Sequence, residues 1–457
     1  MLSPKKTSED IKIHPVDEVL PLWHLGVYGF QHVLTFYAAA VIVPILLANA
    51  LGLPHHALVR LIDADLFTCG IASLLQSIGF GPIGVRLPLL QGVTFTAVTP
   101  MITIGVACGG GLNGLHAIYG AVIVAGLFTL AFGKYFSKLI RFFPPVVTGS
   151  VILVIGLALL PVAANDIVAG RGANTMQSPV SLKNVAYGLG TLLCIILIQK
   201  SFRGLIGTIA VVIGLVFGTF VAWVMGDAQF SDVATAPIVT YAQPFFFGLP
   251  TFHIAPIFSM IIVMIITMIE TTGDVFATGA IVKRDITSND IARAIRADGL
   301  ATMLGGILNS FPYTCFAENV GLVRLTQVRS RWVVAAAAVI MLVLGSMPKL
   351  AAIVGGIPLP VLGGAALAMF ATVAVVGIQI LAQVDFENQN NVIIVGTSMG
   401  LGMLATTQPH IADNLPTWAQ IIFGSGITVG ALAAMVLNLV FNHFGKPSRH
   451  VTVTSSH

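Results

Sequence analysis

Long apolar runs separated by short polar segments dominate the chain between residues 20 and 441. A helix that crosses a bilayer needs roughly 20 consecutive apolar residues, and most of these runs approach or exceed that length. The pattern predicts an all-α polytopic membrane protein with 14 transmembrane segments, of which the third and the tenth are short and rich in Gly and Pro. The segments lie at 20–49, 58–80, 94–108, 115–134, 144–164, 184–202, 204–225, 252–280, 290–309, 319–328, 332–347, 357–380, 391–407 and 417–441.

The composition supports a lipid environment. Of the 457 residues, 56% are hydrophobic and 9% are charged, and the mean hydropathy is +0.95. An ordinary soluble protein is about 25% charged, so this chain is neither a soluble enzyme, nor a nucleic-acid-binding protein, nor a disordered protein. The four cysteines lie in apolar surroundings without CxxC spacing, which predicts neither a metal site nor disulfides. The first 18 residues are polar and predict a solvated tail rather than a signal peptide.

The Lys and Arg residues indicate the orientation. With the N-terminus inside, 18 of the 22 basic residues fall on the inner side. Arg60, Arg171, Lys183 and Lys349 remain for the outer side or the outer ends of segments. Cytoplasmic loops carry such an excess of positive charge, so the sequence predicts that both termini are cytoplasmic. The net charge of +4 therefore reflects topology and does not indicate a nucleic-acid partner.

Two similar stretches precede the short third and tenth segments. LPLLQGVT occupies 87–94 and FPYTCFAE occupies 311–318, and each has a polar residue six positions after its Pro. The two segments are seven apart, so equivalent elements would have opposite orientations in the membrane. This pattern favours an inverted-repeat transporter whose discontinuous helices meet near the midplane. Two unrelated helices broken by Pro remain an alternative.

Three acidic residues lie where lipid would otherwise be the solvent. Glu270 and Asp274 are four residues apart in the eighth segment and share one helical face. Glu318 opens the tenth segment, where the N-terminus of a helix offers free N–H donors and a positive dipole end. Ionisable residues inside a membrane are costly, so each is a functional candidate. The alternatives are a structural carboxylate pair and, for Glu318 with Asn319, a helix cap.

Further candidates depend more on their context. Asp298 is either functional or paired structurally near the inner surface beside Arg296, and His32 is either a packing residue or a proton carrier. Thr94 is a candidate only because of its position in the repeated stretch. The nearby aromatic residues can stack on a flat ligand or merely pack; they are Phe95, Phe276, Phe311 and Phe316.

The chain has no motif of a known catalytic or nucleotide-binding class. GxSxG, the P-loop, HExxH and a dinucleotide fingerprint are all missing from the sequence. We therefore expect no enzymatic activity, no cofactor and no ATP-driven pump. An ion gradient would have to supply the energy, and buried carboxyl groups favour the proton as the coupling ion, since burial stabilises their neutral form.

The stretch ENVGLVRLTQ at 318–327 resembles the signature of the nucleobase–ascorbate transporter family, also called nucleobase:cation symporter family 2. That signature reads Gln/Glu/Pro-Asn-x-Gly-x4-Thr-Arg/Lys/Gly; Glu318, Asn319, Gly321 and Thr326 match it, and Gln327 does not. The family's other motifs occur in the same order, namely QH at 31–32, EXXGD at 270–274, Asp298 and FPYT at 311–314.

The resemblance implies a fold of two inverted seven-segment repeats, with short strands before the half-helices of segments 3 and 10, and a homodimer. Segments 1–4 and 8–11 would form a core domain, and segments 5–7 and 12–14 a gate domain. The corresponding boundaries are tails at 1–18 and 444–457, core at 19–140 and 250–350, and gate at 141–230 and 355–443.

The resemblance also implies proton-coupled import of a nucleobase across the cytoplasmic membrane by alternating access between core and gate. The residues at substrate-binding positions would be Glu270, Glu318, Asn319, Thr94, Phe95 and Phe316. Those at proton-coupling positions would be Glu270, Asp274, Asp298 and His32. Neither a metal nor another cofactor is implied.

The motifs do not all point to the same substrate. The neighbourhood of the motifs resembles the xanthine/uric acid permease branch, and Thr94 in place of Asn leans toward uric acid. Glu318 departs from that branch, because purine members usually have Gln there and uracil members have Glu. We favour an oxidised purine. A uracil symporter of the same family is the alternative, and an anion carrier of the same fold is a more distant one.

Overall fold

The computed structural model of the chain describes residues 14–139, 143–169, 181–228 and 230–443. Residues 1–13 and 444–457 of the predicted tails lie outside the described residues, as do Arg141 and Arg171. The described part is predominantly helical, as the apolar runs predict, and its other regular elements are two short strands.

The first half of the chain forms nine helices among the described residues. They are α1 Leu22–Ala50, α2 His55–Ser77, α3 Val98–Ala107, α4 Gly111–Leu139, α5 Pro145–Ala169, α6 Leu182–Ser201, α7 Leu205–Thr208, α8 Ala210–Val224 and α9 Ser231–Thr235. The second half forms nine more. They are α10 Ile254–Val282, α11 Ser288–Ile307, α12 Ala317–Thr326, α13 Arg331–Leu344, α14 Pro348–Gly355, α15 Leu359–Leu381, α16 Gln389–Thr407, α17 Thr417–Phe423 and α18 Gly426–Asn438.

Six of the described helices are long and apolar enough to cross a membrane alone: α1, α4, α5, α6, α10 and α15. The pair α13 and α14 is bent by 83° and would make a seventh if it counts as one span. Helix α2 is long enough but carries Arg60, Asp63 and Asp65 within one stretch, and three charges exceed what lipid-facing helices usually hold. Several apolar helices are therefore present. Helix length and composition alone do not establish the predicted count of 14 transmembrane segments.

The helices pack in two groups that mix the two halves of the chain. In one group, α11 packs on α4, and α13 packs on α2 and α1. In the other, α5 packs on α15, α16 and α18. Small residues make the closest approaches, because a methyl group on Gly299 would overlap the backbone of Leu130, and one on Gly156 would overlap Ala374. Packing through small residues is typical of helices that associate in lipid.

Two buried strands hold the short helices together. β1 spans Gln91–Val93 and β2 spans Tyr313–Cys315, and they pair antiparallel with Gly92 opposite Thr314. The pairing extends beyond the strands, since the amide of Thr94 donates to the carbonyl of Pro312 at 2.9 Å. β1 leads through a 3-10 turn into α3, and β2 leads directly into α12. The N-termini of α3 and α12, called the half-helices below, therefore lie side by side.

The segment before α1 is not wholly solvated. Val16 is fully buried and belongs to the same apolar cluster as Leu87 and Val323. Asp17 forms an ion pair of 2.6 Å with Arg331 at the start of α13. Residues 14–18 were predicted to belong to a solvated tail. They instead lie against the helical bundle, because Val16 is buried in an apolar cluster and Asp17 pairs with Arg331.

Candidate functional site at the paired half-helices

Glu270, in the middle of α10, faces the N-terminus of the first half-helix. The hydroxyl of Thr96 donates a hydrogen bond of 2.8 Å to its Oε1, and the hydroxyl of Thr94 donates one of 3.3 Å to its Oε2. Thr94 also caps the turn that leads into α3, since its Oγ1 accepts a bond of 3.2 Å from the amide of Thr96. The carboxyl group is therefore oriented by two hydroxyls that the turn itself positions.

Glu318 lies in the first turn of α12, at the second half-helix N-terminus. The N-cap residue Phe316 makes no side-chain cap, and the amides of Asn319 and Val320 donate to its carbonyl at 3.0 and 3.4 Å, while the carboxyl group of Glu318 accepts from its own amide. Glu318 is close enough to Glu270 and Asp274 for electrostatic repulsion between the three carboxyl groups. All three are half-buried. The arrangement places several acceptor oxygens beside the positive dipole ends of two short helices, which suits a flat ligand that carries both N–H and C=O groups.

Asp298, on α11, is fully buried directly behind this site. One of its carboxyl oxygens accepts a hydrogen bond from the side-chain amide of Gln91 in β1, and the other accepts one of 2.5 Å from the hydroxyl of Thr271 in α10. Thr271 in turn lies 3.1 Å from the hydroxyl of Thr314 in β2. Asp298 therefore joins α10, α11 and both strands, which are the elements that carry Glu270 and the half-helices.

His32 and Asn319 form a second link. The ring Nδ1 of His32 in α1 donates to Oδ1 of Asn319 at 2.5 Å. The amide nitrogen of Asn319 donates to the carbonyl of Pro88 at 2.9 Å. Both side chains are buried. The link connects α1, the start of α12 and the chain that leads into β1, so both residues are placed to hold the two half-helices in register.

Aromatic rings close one side of the site. The ring of Phe316 lies edge-on to Phe36 at 4.8 Å between centroids, and Phe95 lies edge-on to Phe370 of α15 at 5.3 Å. Gly92 sits beneath these rings, and a methyl group there would overlap both Phe36 and Phe316. The contact between Phe95 and Phe370 joins the two packing groups of helices.

The structure gathers the polar residues that the sequence singled out into this one region, and two of the four aromatic candidates, Phe95 and Phe316, contribute the rings described above. Phe276 is 47% exposed, and Phe311 is fully buried. Three contributors were missed by sequence reasoning, namely Gln91, Thr96 and Thr271. The only available signal was that each is a polar residue in an apolar stretch. Among the described residues, no three His, Cys, Asp or Glu side chains are grouped in a way that would hold a metal ion.

Comparison with a solved structure is consistent with this architecture. The transmembrane domain of BicA, a cyanobacterial bicarbonate transporter, superposes with a TM-score of 0.58 at 16% sequence identity. The match covers 93% of this chain and 99% of that domain. At such low identity, the similarity shows a shared fold and nothing about the substrate.

Comparison with other sequences is more specific. The profile of a protein family described as "Permease family" matches residues 24–411. The chain is 42% identical over 421 residues to a xanthine permease of Bacillus subtilis, covering 92% of this chain and 94% of that protein. It is also 42% identical over 417 residues to the uric acid permease PucK of the same organism, covering 91% and 95% respectively. The chain therefore belongs to this permease family, nucleobase:cation symporter family 2, and is a membrane transport protein rather than an enzyme.

Proposed function

We propose that the protein is a proton-coupled symporter that imports an oxidised purine base, xanthine or uric acid, across the cytoplasmic membrane. The observation that carries the proposal is the geometry of Glu270. Its carboxyl group is oriented by the hydroxyls of Thr94 and Thr96 and lies near the half-helix whose first turn contains Glu318. A carboxylate accepts two N–H groups from an oxidised base, and the positive dipole ends of the half-helices favour its carbonyl oxygens.

The relatives support a purine over uracil. One is a xanthine permease and the other a uric acid permease, at the same identity of 42% and with nearly complete coverage. Glu318 is the one site residue that leans toward uracil. The anion-carrier alternative is supported by fold alone, since the bicarbonate transporter shares only 16% of its residues with this chain. Several carboxyl groups around the ligand also disfavour a small inorganic anion.

The architecture belongs to the proposal. Fourteen segments would form two inverted repeats, with α1–α4 and α10–α13 in a core domain and α5–α8 and α15–α18 in a gate domain. The two packing groups of helices and the antiparallel pairing of β1 with β2 support this division. Both termini would be cytoplasmic, following the distribution of Lys and Arg. A homodimer rests on the family resemblance.

Transport would proceed by movement of the core against the gate. The core carries Glu270 and both half-helices, and Phe95 meets Phe370 of the gate beside them. An anionic base such as urate adds a negative charge to a site that already holds Glu270, Asp274 and Glu318. Repulsion falls when a proton enters with the base, so binding of the two is coupled.

The experiment is whole-cell uptake with labelled xanthine, urate, uracil and bicarbonate, with and without a protonophore, in a host that lacks its own nucleobase carriers. We expect xanthine or urate to accumulate, and the protonophore to abolish accumulation. Glu270→Gln should abolish uptake although the variant reaches the membrane in the same amount as the wild-type protein. Glu387→Gln is the matched control, since Glu387 is an exposed carboxylate between α15 and α16. Preferential uptake of uracil, or of labelled bicarbonate, would contradict the proposal.

A further inference from the structure

Three arginines converge at one end of the core, away from the carboxyl groups of the transport site. Arg86 lies between α2 and β1, Arg284 follows the end of α10, and Arg293 lies in the second turn of α11. Nη1 of Arg284 donates to the carbonyl of Arg86 at 3.5 Å. Nε of Arg293 donates to the carbonyl of Gly84 at 3.1 Å, and the amide of Gly84 donates back to the carbonyl of Arg293 at 3.0 Å. Three separate segments thus bring three guanidinium groups together.

In the part of the chain that the structure describes, no ion pair neutralises the arginine cluster (Arg86, Arg284 and Arg293). Within the described ranges, none of the three has a carboxylate within ion-pair distance. Arg293 is repelled by Arg86 and Arg284, and the acidic group acting on it is Asp290. Asp290 is already engaged in the cap of α11, where it accepts bonds from the amide and hydroxyl of Thr287.

Two N–H groups of the cluster lack an acceptor. Nε of Arg86 and Nη2 of Arg293 are buried and have no hydrogen-bond partner in the described part of the chain. An unpaired buried donor on a charged group costs free energy comparable to a lost hydrogen bond. Both residues are half-buried as a whole, so each keeps some exposed surface.

The backbone of Arg86 is held in an unusual conformation. Its φ is +60°, in the left-handed region that costs non-glycine residues free energy. The amide of Arg86 donates to the carbonyl of Gln76 at 3.0 Å, which fixes this conformation. The loop before it turns through Gly79, Gly81 and Gly84, all with positive φ. A residue with a strained backbone therefore lies where a third guanidinium group joins two others.

We propose that the arginine cluster binds a phosphate group. Arginine forks match phosphate oxygens in a bidentate manner, and three forks can neutralise one phosphodiester or phosphate ion. In the orientation of the proposed function, on which this inference rests for its location, the cluster lies at the cytoplasmic surface. Basic pockets between helices on that side bind the head groups of anionic lipids. The source of the phosphate group is therefore an anionic lipid of the inner leaflet or free phosphate in the cytoplasm.

The test uses the purified full-length protein in a neutral detergent and follows its thermal unfolding. It is titrated with dihexanoyl-phosphatidylglycerol, with dihexanoyl-phosphatidylcholine, and with inorganic phosphate against chloride at equal ionic strength. Phosphatidylglycerol or phosphate should raise Tm in a saturable way, and phosphatidylcholine and chloride should not. Arg284→Gln and Arg293→Gln should raise the half-saturating concentration at least tenfold. Arg203→Gln removes the same charge from an exposed inner-side residue and should leave it unchanged.

The outcomes separate the sources. A response to phosphatidylglycerol alone identifies a lipid head group, and a response to inorganic phosphate identifies a free anion. The proposal is overturned if neither phosphatidylglycerol nor phosphate raises the Tm of the wild-type protein. It is also overturned if Arg203→Gln raises the half-saturating concentration as much as Arg284→Gln and Arg293→Gln do. Arg284→Lys guards against misfolding, because it should keep the Tm without ligand while weakening the response. Uptake of labelled bases is measured on the same variants, so phosphate binding without base uptake would refute only the proposed function.

Discussion

The hydroxyl of Thr96 donates a hydrogen bond of 2.8 Å to Oε1 of Glu270, and these two residues belong to elements separated by 174 positions along the chain. The bond ties the orientation of the carboxyl group to the turn that opens the first half-helix. A hydrogen bond to a charged group contributes about 1.5–3 kcal/mol. Any rearrangement of that turn therefore reaches the carboxyl group that we propose binds the base.

Replacing Thr96 tests this relationship. We expect Thr96→Val to lower the efficiency of xanthine uptake at least about tenfold, since about 1.4 kcal/mol corresponds to a factor of ten. Thr96→Ser keeps the hydroxyl and should retain most of the uptake. Thr103→Val is the control in the same half-helix, because the hydroxyl of Thr103 donates to the carbonyl of Thr99 within that helix. Equal losses in Thr96→Val and Thr103→Val would show that the hydroxyl does not act through Glu270.

Asp298 and Thr271 should behave as a coupled pair. Because Thr271 donates to Asp298 at 2.5 Å, Asp298→Asn and Thr271→Val remove parts of the same network. Each single substitution should lower Tm. We expect the double variant to lower Tm by less than the sum of the two single decreases. Thr267→Val is the control, since its hydroxyl bonds to the carbonyl of Val263 within α10. Strict additivity of Asp298→Asn with Thr271→Val would exclude the proposed link between α10 and α11.

Gly92 should tolerate no side chain. A methyl group there overlaps the rings of Phe36 and Phe316, so Gly92→Ala should destabilise the protein by about 1–3 kcal/mol and lower its Tm. Adding Phe36→Leu should recover part of the loss. Gly190→Ala is the control, because nothing lies within 4 Å of the new methyl group. A Tm unchanged by Gly92→Ala would mean that the rings do not press against β1.

Glu318 should influence how uptake depends on pH. In the proposed mechanism a proton enters with the base, so wild-type uptake should rise as the external pH falls from about 8 to about 6. Glu318→Gln keeps the shape but cannot ionise, which removes one negative charge beside Glu270. We expect the variant to retain exchange of base for base and to lose much of its pH dependence. An unaltered pH profile with normal exchange would assign the coupled proton to another carboxyl group.

The orientation can be measured with introduced cysteines. Cys69 and Cys315 are buried, so only Cys108 and Cys194 need replacement by Ser to give a quiet background. Tyr241→Cys, at a residue that is 70% exposed before α10, should react with a membrane-impermeant maleimide added to intact cells. Arg203→Cys should react only after the cells are opened. The opposite pattern would invert the proposed topology and move the arginine cluster to the outer face.

Much of the fold could be predicted because residues that are buried or that contact lipid form continuous apolar runs in the sequence. Apolar runs long enough to span a bilayer can be recognised without knowing which helices they touch, and most of the long helices begin and end within a few residues of the predicted segments. The predicted segments 204–225 and 417–441 are each divided into two helices, and the short helices α9 and α14 have no predicted counterpart. The signature around Glu318 and Asn319 is likewise continuous in the chain. Membrane class, helical architecture and family therefore follow from the sequence.

The contacts inside the site depend on distance in space, which no local pattern encodes. Gln91 and Cys315 are 224 residues apart, yet they are partners in the strand pair that aligns the half-helices. Nothing in the sequence distinguishes the hydroxyls of Thr96 and Thr271 from those of threonines that bond to their own helix. Only the tertiary structure decided that Thr96 serves Glu270 and that Asp298 joins four elements, because a hydrogen bond forms between groups that the whole fold brings within about 3 Å.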